Sequence, residues 1–160
     1  MPTTAPADTV IGMELTFRRD LPGFKGARHF VVEPLGEGSA GIFARLRCTD
    51  TVQLRSGRTL QDLVFLVTSP GTLWRGYEVK IDEVLAEELG LTSPDEAALL
   101  AIIHPREPLS ESTANLYSPI VINRTTGWAD QLIPTDGEGE VGWSMRTPIP
   151  IEDPDDAGGR

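Results

Sequence analysis

The chain has 160 residues, of which 39% are hydrophobic, and its 24 acidic and 14 basic side chains give a formal net charge of −10. A chain of this length forms one domain with a sizeable core and needs no metal or disulfide, and its single cysteine excludes an intrachain disulfide. The acidic balance argues against direct nucleic-acid binding, which requires clustered Lys and Arg, and it suits a basic protein partner.

The charge is unevenly distributed along the chain. Residues 1–77 carry 9 bases and 7 acids, a balance of +2, whereas residues 78–160 carry 5 bases and 17 acids, a balance of −12. An acidic functional face should therefore come mainly from the C-terminal half. The alternative is that these acids only solvate the surface.

The two ends of the sequence differ from its middle. Residues 1–10 contain no basic segment followed by an apolar one, so they do not resemble a secretory signal. The longest apolar run, residues 97–103, is far shorter than the roughly 20 residues of a membrane span. We therefore expect a cytoplasmic protein. Its single domain should span residues 11–150, between a disordered N-terminus (1–10) and a disordered acidic tail (151–160).

Strand patterns dominate the first half of the chain. Met13, Leu15 and Phe17 alternate with polar residues, which is the period of a half-buried strand. Further strands are predicted, in chain order, over residues 29–32, 41–48, 51–54, 62–68 and 77–81.

A short helix is predicted over residues 82–90. Asp82 can accept hydrogen bonds from the free amides of the first turn, and Gly90 can adopt the left-handed conformation that ends a helix. Residues 93–96 give a second helix-start signal, with Pro at the first helical position and capping-box spacing. Strands at short spacing with one brief helical interruption indicate a mainly β domain, either an antiparallel barrel or a sandwich.

The later strands are predicted over residues 97–104, 116–123 and 128–133, with a turn at residues 125–127. Pro119 has no amide donor, so it should lie at a strand start, an edge or a bulge.

Residues 36–41, Gly-Glu-Gly-Ser-Ala-Gly, match the G-x-G-x-x-G pattern of dinucleotide-binding loops. The pattern is informative only where a helix follows, because the helix N-terminus holds the pyrophosphate. Residues 42–48 have more strand than helix character, and no βαβ unit surrounds them. We interpret the segment as a flexible hairpin connection; the alternative is a nucleotide-binding enzyme that uses the Gly36–Gly41 loop.

Other chemistry-bearing residues form no recognisable catalytic or metal pattern. His29 and His104 lack ligand spacing to each other or to Cys48, and a lone cysteine in a strand is usually a packed small hydrophobe. The alternating carboxylates of residues 136–140 lack the fixed offsets of a calcium loop. We therefore expect a binding protein with no metal and no cofactor, and not an enzyme.

Residues 113–123, Thr-Ala-Asn-Leu-Tyr-Ser-Pro-Ile-Val-Ile-Asn, closely resemble the segment TANLLAPIVIN of the FliW family of flagellar assembly factors. Further pieces follow in the family's order: residues 21–24 resemble its IPGF, 30–35 its F-V-x-x-P-L, 64–70 its strand ending in Asp-Pro, 77–79 its Y-E-V and 131–133 its Q-x-I. The resemblance covers residues 13–149.

The chain departs from the family pattern at four places. Ser69 stands where the family has Asp, and residues 49–60 are longer than usual and carry Arg55 and Arg58. The family's aromatic-x-x-Arg-His is here Trp-Ser-Met-Arg-Thr over residues 143–147, and residues 150–160 are additional.

The resemblance implies a small antiparallel β-barrel-like domain with one or two short helices, and two protein partners. One partner is flagellin before its export. The other is CsrA, an RNA-binding translational repressor that FliW-like proteins remove from flagellin messenger RNA. We accordingly expect a monomer that contacts neither nucleic acid nor membrane directly. An acidic mimic of nucleic acid, competing for an RNA-binding site, is the second alternative.

Two groups of residues are candidates for partner contact. The acidic group comes from the predicted helix and the residues before it: Glu78, Asp82, Glu83, Glu87 and Glu88. The second group lies in the segment that resembles the family: Asn115, Tyr117, Pro119 and Asn123. We expect this segment to be mainly structural, with Asn115 and Tyr117 as its exposed contacts.

Overall fold

The computed structural model describes residues 10–35, 43–74, 77, 79–133, 144 and 146–149. Eleven strands lie in this part of the chain: β1 Glu14–Phe17, β2 His29–Pro34, β3 Phe43–Cys48, β4 Val52–Gln53, β5 Thr59–Leu60, β6 Val64–Thr68, β7 Ala97–His104, β8 Thr113–Ala114, β9 Ile120–Asn123, β10 Trp128–Gln131 and β11 Thr147–Pro148. The helices are α1 Pro70–Leu73 and α2 Glu83–Glu88, and single 3₁₀ turns span Pro94–Glu96 and Leu109–Glu111.

Seven of these strands close into a barrel. The neighbours run β7-β6-β3-β2-β1-β10-β9, and β9 pairs back with β7. β8 and β11 extend the sheet beside the C-terminal half of β7, and β4 and β5 form a separate hairpin. The expected mainly β, barrel-like domain is confirmed. It is mixed rather than wholly antiparallel, because β1 and β10 are parallel, with Thr16 opposite Trp128.

Strand β7 is covered on both faces. Ala98 and Leu100 belong to the inner cluster, the hydrophobic core to which one face of every barrel strand contributes. Leu99 and Ile103, pointing the other way, belong to the outer cluster, a second core that packs outside β7 and β9. Because both faces of β7 are largely covered as far as Ile103, its sequence up to that residue is a continuous apolar run rather than an alternating one.

The helix predicted over residues 82–90 is confirmed as α2. The Oδ1 atom of Asp82 accepts a hydrogen bond of 2.8 Å from the amide of Leu85, and Gly90 has a φ of +70°. The second helix-start signal produces only one 3₁₀ turn, because the chain enters β7 directly after Glu96.

Two strand predictions are wrong in part. Tyr77, Val79 and Ile81 are buried in the outer cluster but belong to no strand. Their alternation therefore reflects one-sided burial without a paired neighbour. Similarly, the strand expected over 116–123 begins only at Ile120, directly after Pro119, which accordingly lies at a strand start.

The glycine-rich segment lies between two antiparallel strands. Residues 36–42 are outside the described residues, but β2 and β3 on either side pair with each other, with Pro34 opposite Ala44. Residues 43–48 form a strand where a dinucleotide fingerprint requires a helix. Residues 1–10 and 151–160 are the segments expected to be disordered. Residues 1–9 and 151–160 lie outside the described residues, whereas Val10 is fully buried in the inner cluster.

Gly127 provides a test of the barrel closure, because it lies where β10 meets β1. Its φ is +83°, and a Cβ there would lie 2.5 Å from the carbonyl oxygen of Glu14. Gly127→Ala should lower the free energy of unfolding by about 2–4 kcal/mol, from left-handed strain plus this clash. Urea unfolding measures the loss.

Gly12→Ala is the matched control. Gly12 has a φ of +90°, and nothing lies within 4 Å of the Cβ position. The Gly12→Ala variant should lower the free energy of unfolding only by the conformational strain, about 1–2 kcal/mol. Equal losses for the two variants would show that the close approach at Gly127 is unimportant.

Candidate partner-binding surface

Helix α2 exposes one face at the surface. Leu85, Ala86 and the following Leu89 are buried in the outer cluster, so the helix is anchored by this side. Val84 is 66% exposed. On the helix it lies next to Glu87 and Glu88, three and four residues ahead. The exposed face thus combines an apolar group with carboxylates.

A groove separates α2 from the end of β10. Its volume is about 360 Å³, and across it from Val84 lies Ile133, which is 56% exposed. The lining residues are Arg19, Asp82, Val84, Leu85, Glu88, Gln131, Leu132 and Ile133. Val84 and Ile133 together give the groove two exposed apolar walls. We call this groove, with the adjacent Glu83 and Glu87, the α2 surface.

Arg19, which lines the groove, is held by an ion pair between the chain after β1 and β10. The Nε and Nη2 atoms of Arg19 donate to Oδ2 of Asp130, at 3.0 and 2.6 Å, and Asp130 is only 4% exposed. These hydrogen bonds, followed by the charge of Asp130, raise the pKa of Arg19. The other carboxylate oxygen of Asp130 accepts the amide of Gln131 at 2.9 Å. No local sequence pattern predicts this pair, because its partners are 111 positions apart.

A second interaction links α2 to the same region. Glu88 lies 3.9 Å from both Arg18 Nε and Arg19 Nη2, and the Arg18 guanidinium lies 5.9 Å from the centre of the Trp128 ring. These contacts are long and partly exposed, so each contributes little by itself. They do place positive charge next to Glu88.

The five acidic candidates therefore have different environments. Asp82 caps α2, and Glu88 is half-buried beside the two arginines. Glu83 and Glu87 are exposed and take part in no ion pair with another described residue. Glu78 lies outside the described residues. Of the described candidates, Glu83 and Glu87 are the carboxylates available to a partner.

The segment that resembles the family is largely buried. Asn115 is only 7% exposed, and its Oδ1 accepts a hydrogen bond of 3.0 Å from the amide of Ser118, so its expected role as an exposed contact is wrong. Pro119 is also buried, and its carbonyl accepts the amide of Leu132. Tyr117 is half-buried and stays a predicted contact.

Tyr77 supports the same segment from the outer cluster. Its hydroxyl donates a hydrogen bond of 2.8 Å to the carbonyl of Leu116, and the side chain is fully buried. Burial raises the pKa of Tyr77, so the hydroxyl keeps its proton. A buried tyrosine usually has such a partner, but its identity depends on the fold.

Asn123 connects this segment to α2. It is 1% exposed, and its Nδ2 donates a hydrogen bond of 2.8 Å to the carbonyl of Leu89, the C-cap of α2. Its Oδ1 accepts the amides of Thr125 and Thr126, at 2.9 and 3.3 Å. Asn123 therefore positions the α2 surface without being part of it.

Replacing Asn123 by Ala should lower the free energy of unfolding by about 2–3 kcal/mol, because buried backbone groups lose their partners. It should also speed hydrogen exchange of the amides in α2. Asn115→Ala, which removes the bond to the Ser118 amide, is the control and should leave exchange in α2 unchanged. Unchanged α2 protection in the Asn123 variant would contradict this role.

Cys48 and His29 are chemistry-bearing residues outside the α2 surface. Cys48 is 1% exposed, and burial raises the pKa of its thiol, the opposite of what a nucleophile requires. Nδ1 of His29 lies 3.1 Å from Asp50, near the surface. Within the described ranges, no three His, Cys, Asp or Glu side chains are grouped to hold a metal. In the same ranges, no helix is both long and apolar enough to cross a membrane.

Comparison with known proteins identifies a family. A family model described as FliW protein matches residues 4–149. The flagellar assembly factor FliW of Bacillus licheniformis is 36% identical over 119 residues, which are 74% of this chain and 76% of that protein. The FliW of Bacillus subtilis is 33% identical, with the same coverage. A crystal structure of the flagellar assembly factor FliW superposes with a TM-score of 0.68 at 25% identity, covering 88% of each chain.

Proposed function

Because the chain belongs to the FliW family of flagellar assembly factors, which are not enzymes, we propose that it binds flagellin before export and antagonises the translational repressor CsrA. By these two interactions it would couple flagellin synthesis to filament assembly. We propose that it acts in the cytoplasm, where messenger RNA is translated, and that it needs no cofactor.

The observation that supports this proposal most directly is the composition of the α2 surface. Glu83 and Glu87 are exposed on the same helix as Val84, and Ile133 lies across the groove. Such a surface suits a partner that presents an apolar side chain among Lys and Arg. An RNA-binding repressor has basic surfaces of this kind, since it must neutralise phosphates.

This protein could antagonise CsrA in two ways, by occupying its RNA site as a mimic of nucleic acid or by binding beside that site. The number of free carboxylates on the α2 surface distinguishes the two. A mimic of nucleic acid would need a row of them to replace successive phosphates. In α2 and its cap, two of the four carboxylates, those of Asp82 and Glu88, already contact the protein's own groups. We therefore favour binding beside the RNA site over occupation of it. Titrating the complex with RNA distinguishes the two, because direct competition predicts that RNA displaces this protein completely.

Reversing the charge of Glu83 and Glu87 tests the α2 surface. The double variant Glu83→Lys, Glu87→Lys should slow association with CsrA by about tenfold at low salt and flatten its salt dependence, because exposed charges act mainly on the association rate. Stopped-flow or surface binding kinetics at several salt concentrations measure both effects.

The control variant Glu14→Lys, Glu107→Lys changes the net charge equally. Glu14 is exposed on β1, and Glu107 is exposed beyond the C-terminal end of β7, whereas α2 packs near the N-terminal end of that strand. The control variant should slow association with CsrA much less than the variant at Glu83 and Glu87 does. Equal slowing in both variants would assign the effect to net charge and exclude the α2 surface.

We further expect flagellin and CsrA to antagonise each other's binding, through overlapping surfaces or one shared loop. A standard interface takes about 800 Å² from each partner, and two partners compete only where such interfaces overlap or are coupled through a shared segment. Thermodynamic linkage requires each partner to weaken the binding of the other by the same factor. In a titration with flagellin at several fixed CsrA concentrations, the apparent affinity for flagellin should fall as CsrA rises. A stable ternary complex with unchanged affinities would instead indicate an adaptor with two independent sites.

A further inference from the structure

Exposed apolar side chains are concentrated at the groove of the α2 surface. Among the described residues, four large apolar side chains are exposed: Val64, Val84, Trp128 and Ile133. The two most exposed, Val84 and Ile133, line this one groove. A single exposed apolar residue is common on protein surfaces, whereas neighbouring exposed apolar groups mark interaction sites. The groove therefore has the character of an apolar contact site.

The apolar lining of the groove continues beyond these two side chains. Leu85 and Leu132 also line it, and both are buried in the outer cluster. The amide of Leu132 donates to the carbonyl of Pro119, and Asn123 holds the C-cap of α2, so both sides of the groove are fixed. A side chain that enters the groove thus meets a preformed apolar site of about 360 Å³, which lowers the entropic cost of binding.

The charges around the groove are predominantly acidic. Arg18 and Arg19 lie against Glu88 and Asp130. Residues 134–143, which follow Ile133 in the sequence, contain three acids and no base. The described charged residues that line or adjoin the groove are three bases and five acids, a sum of −2: Arg18, Arg19, Lys80, Asp82, Glu83, Glu87, Glu88 and Asp130.

This acidic border selects a basic occupant. A two-fold contact between copies of this chain places the same surface against itself, so Glu83 and Glu87 of one copy would face their equivalents in the other. Like charges disfavour that contact, and they equally disfavour an anionic membrane surface. Of the two partners in the proposed function, the one that must present basic side chains is the RNA-binding repressor CsrA.

We infer that the groove receives one apolar side chain of CsrA, and that Val84 and Ile133 set the lifetime of the complex. The inference rests on the proposed binding of CsrA and adds a division of roles within the α2 surface. Glu83 and Glu87 attract the partner from a distance and so act on the association rate. Apolar side chains interact only after docking, so Val84 and Ile133 act on the dissociation rate.

The test measures the association and dissociation rate constants of CsrA with variants of this protein. Val84→Ala and Ile133→Ala should each raise the dissociation rate constant about tenfold, as expected when a central apolar contact is truncated, and change the association rate constant less than about twofold. Alanine forms helices better than valine, so Val84→Ala should not weaken α2. Urea unfolding of each variant confirms that the fold is intact.

Val64→Ala is the matched control, because it removes the same atoms from another exposed valine. Val64 begins β6, and the pairing of Leu66 with Ile103 places it near the C-terminal end of β7. By contrast, α2 is tied to the N-terminal end of β7 through Asn123, which pairs with Ala97. Val64→Ala should therefore leave both rate constants unchanged.

Four results would overturn the inference. Dissociation could remain unchanged in Val84→Ala and Ile133→Ala, or Val64→Ala could accelerate it equally. The two variants could weaken binding of flagellin and not of CsrA, which would assign the groove to flagellin. Sedimentation could show a dimer that Val84→Ala abolishes, which would assign the groove to a second copy. If the unmodified chain does not bind CsrA at all, the proposed function itself fails, and this inference fails with it.

Discussion

Strand β7 has to satisfy two cores at once, and much of the structure follows from this constraint. On one face Ala98 and Leu100 complete the barrel interior, and on the other Leu99 and Ile103 hold the outer cluster. β7 also pairs with β6, β8 and β9, so both of its edges are occupied. A change of register by one residue would exchange the two faces and disrupt both clusters. Burial of both faces therefore fixes the position of everything packed outside the barrel, including α2.

The segment of residues 113–123 connects these two layers. Its carbonyls accept hydrogen bonds from the Tyr77 hydroxyl and the Leu132 amide, and the side chain of its final residue, Asn123, donates to the carbonyl of Leu89. A segment with so few exposed groups acts mainly by fixing the position of the helix that carries the exposed carboxylates. This explains how a sequence can be highly characteristic of a family and still be almost absent from the surface.

The sequence predicted those features that depend on near neighbours along the chain. Asp82 and Gly90 bounded α2 correctly, because capping is local chemistry. The alternation over residues 77–81 predicts a strand, and this prediction is wrong. A period of two indicates only that one side of the segment is buried, and it occurs with or without pairing to a neighbouring strand. Distant contacts, such as that between Arg19 and Asp130, have no local pattern. For the same reason, the sequence does not reveal that Glu83 is more exposed than Glu88, or that Tyr117 is more exposed than Asn115.

The parallel pair of β1 and β10 has a consequence for synthesis of the protein on the ribosome. Thr16 pairs with Trp128, so the first strand of the barrel must wait for the tenth before the sheet can close. Pairings this distant in sequence are formed late and slow folding, because a long loop must be ordered first. The groove beside α2 also needs β10 and the residues after it. A nascent chain consequently lacks the complete groove until nearly all of the domain has emerged, so the partner-binding surface that we propose would form only in the finished protein.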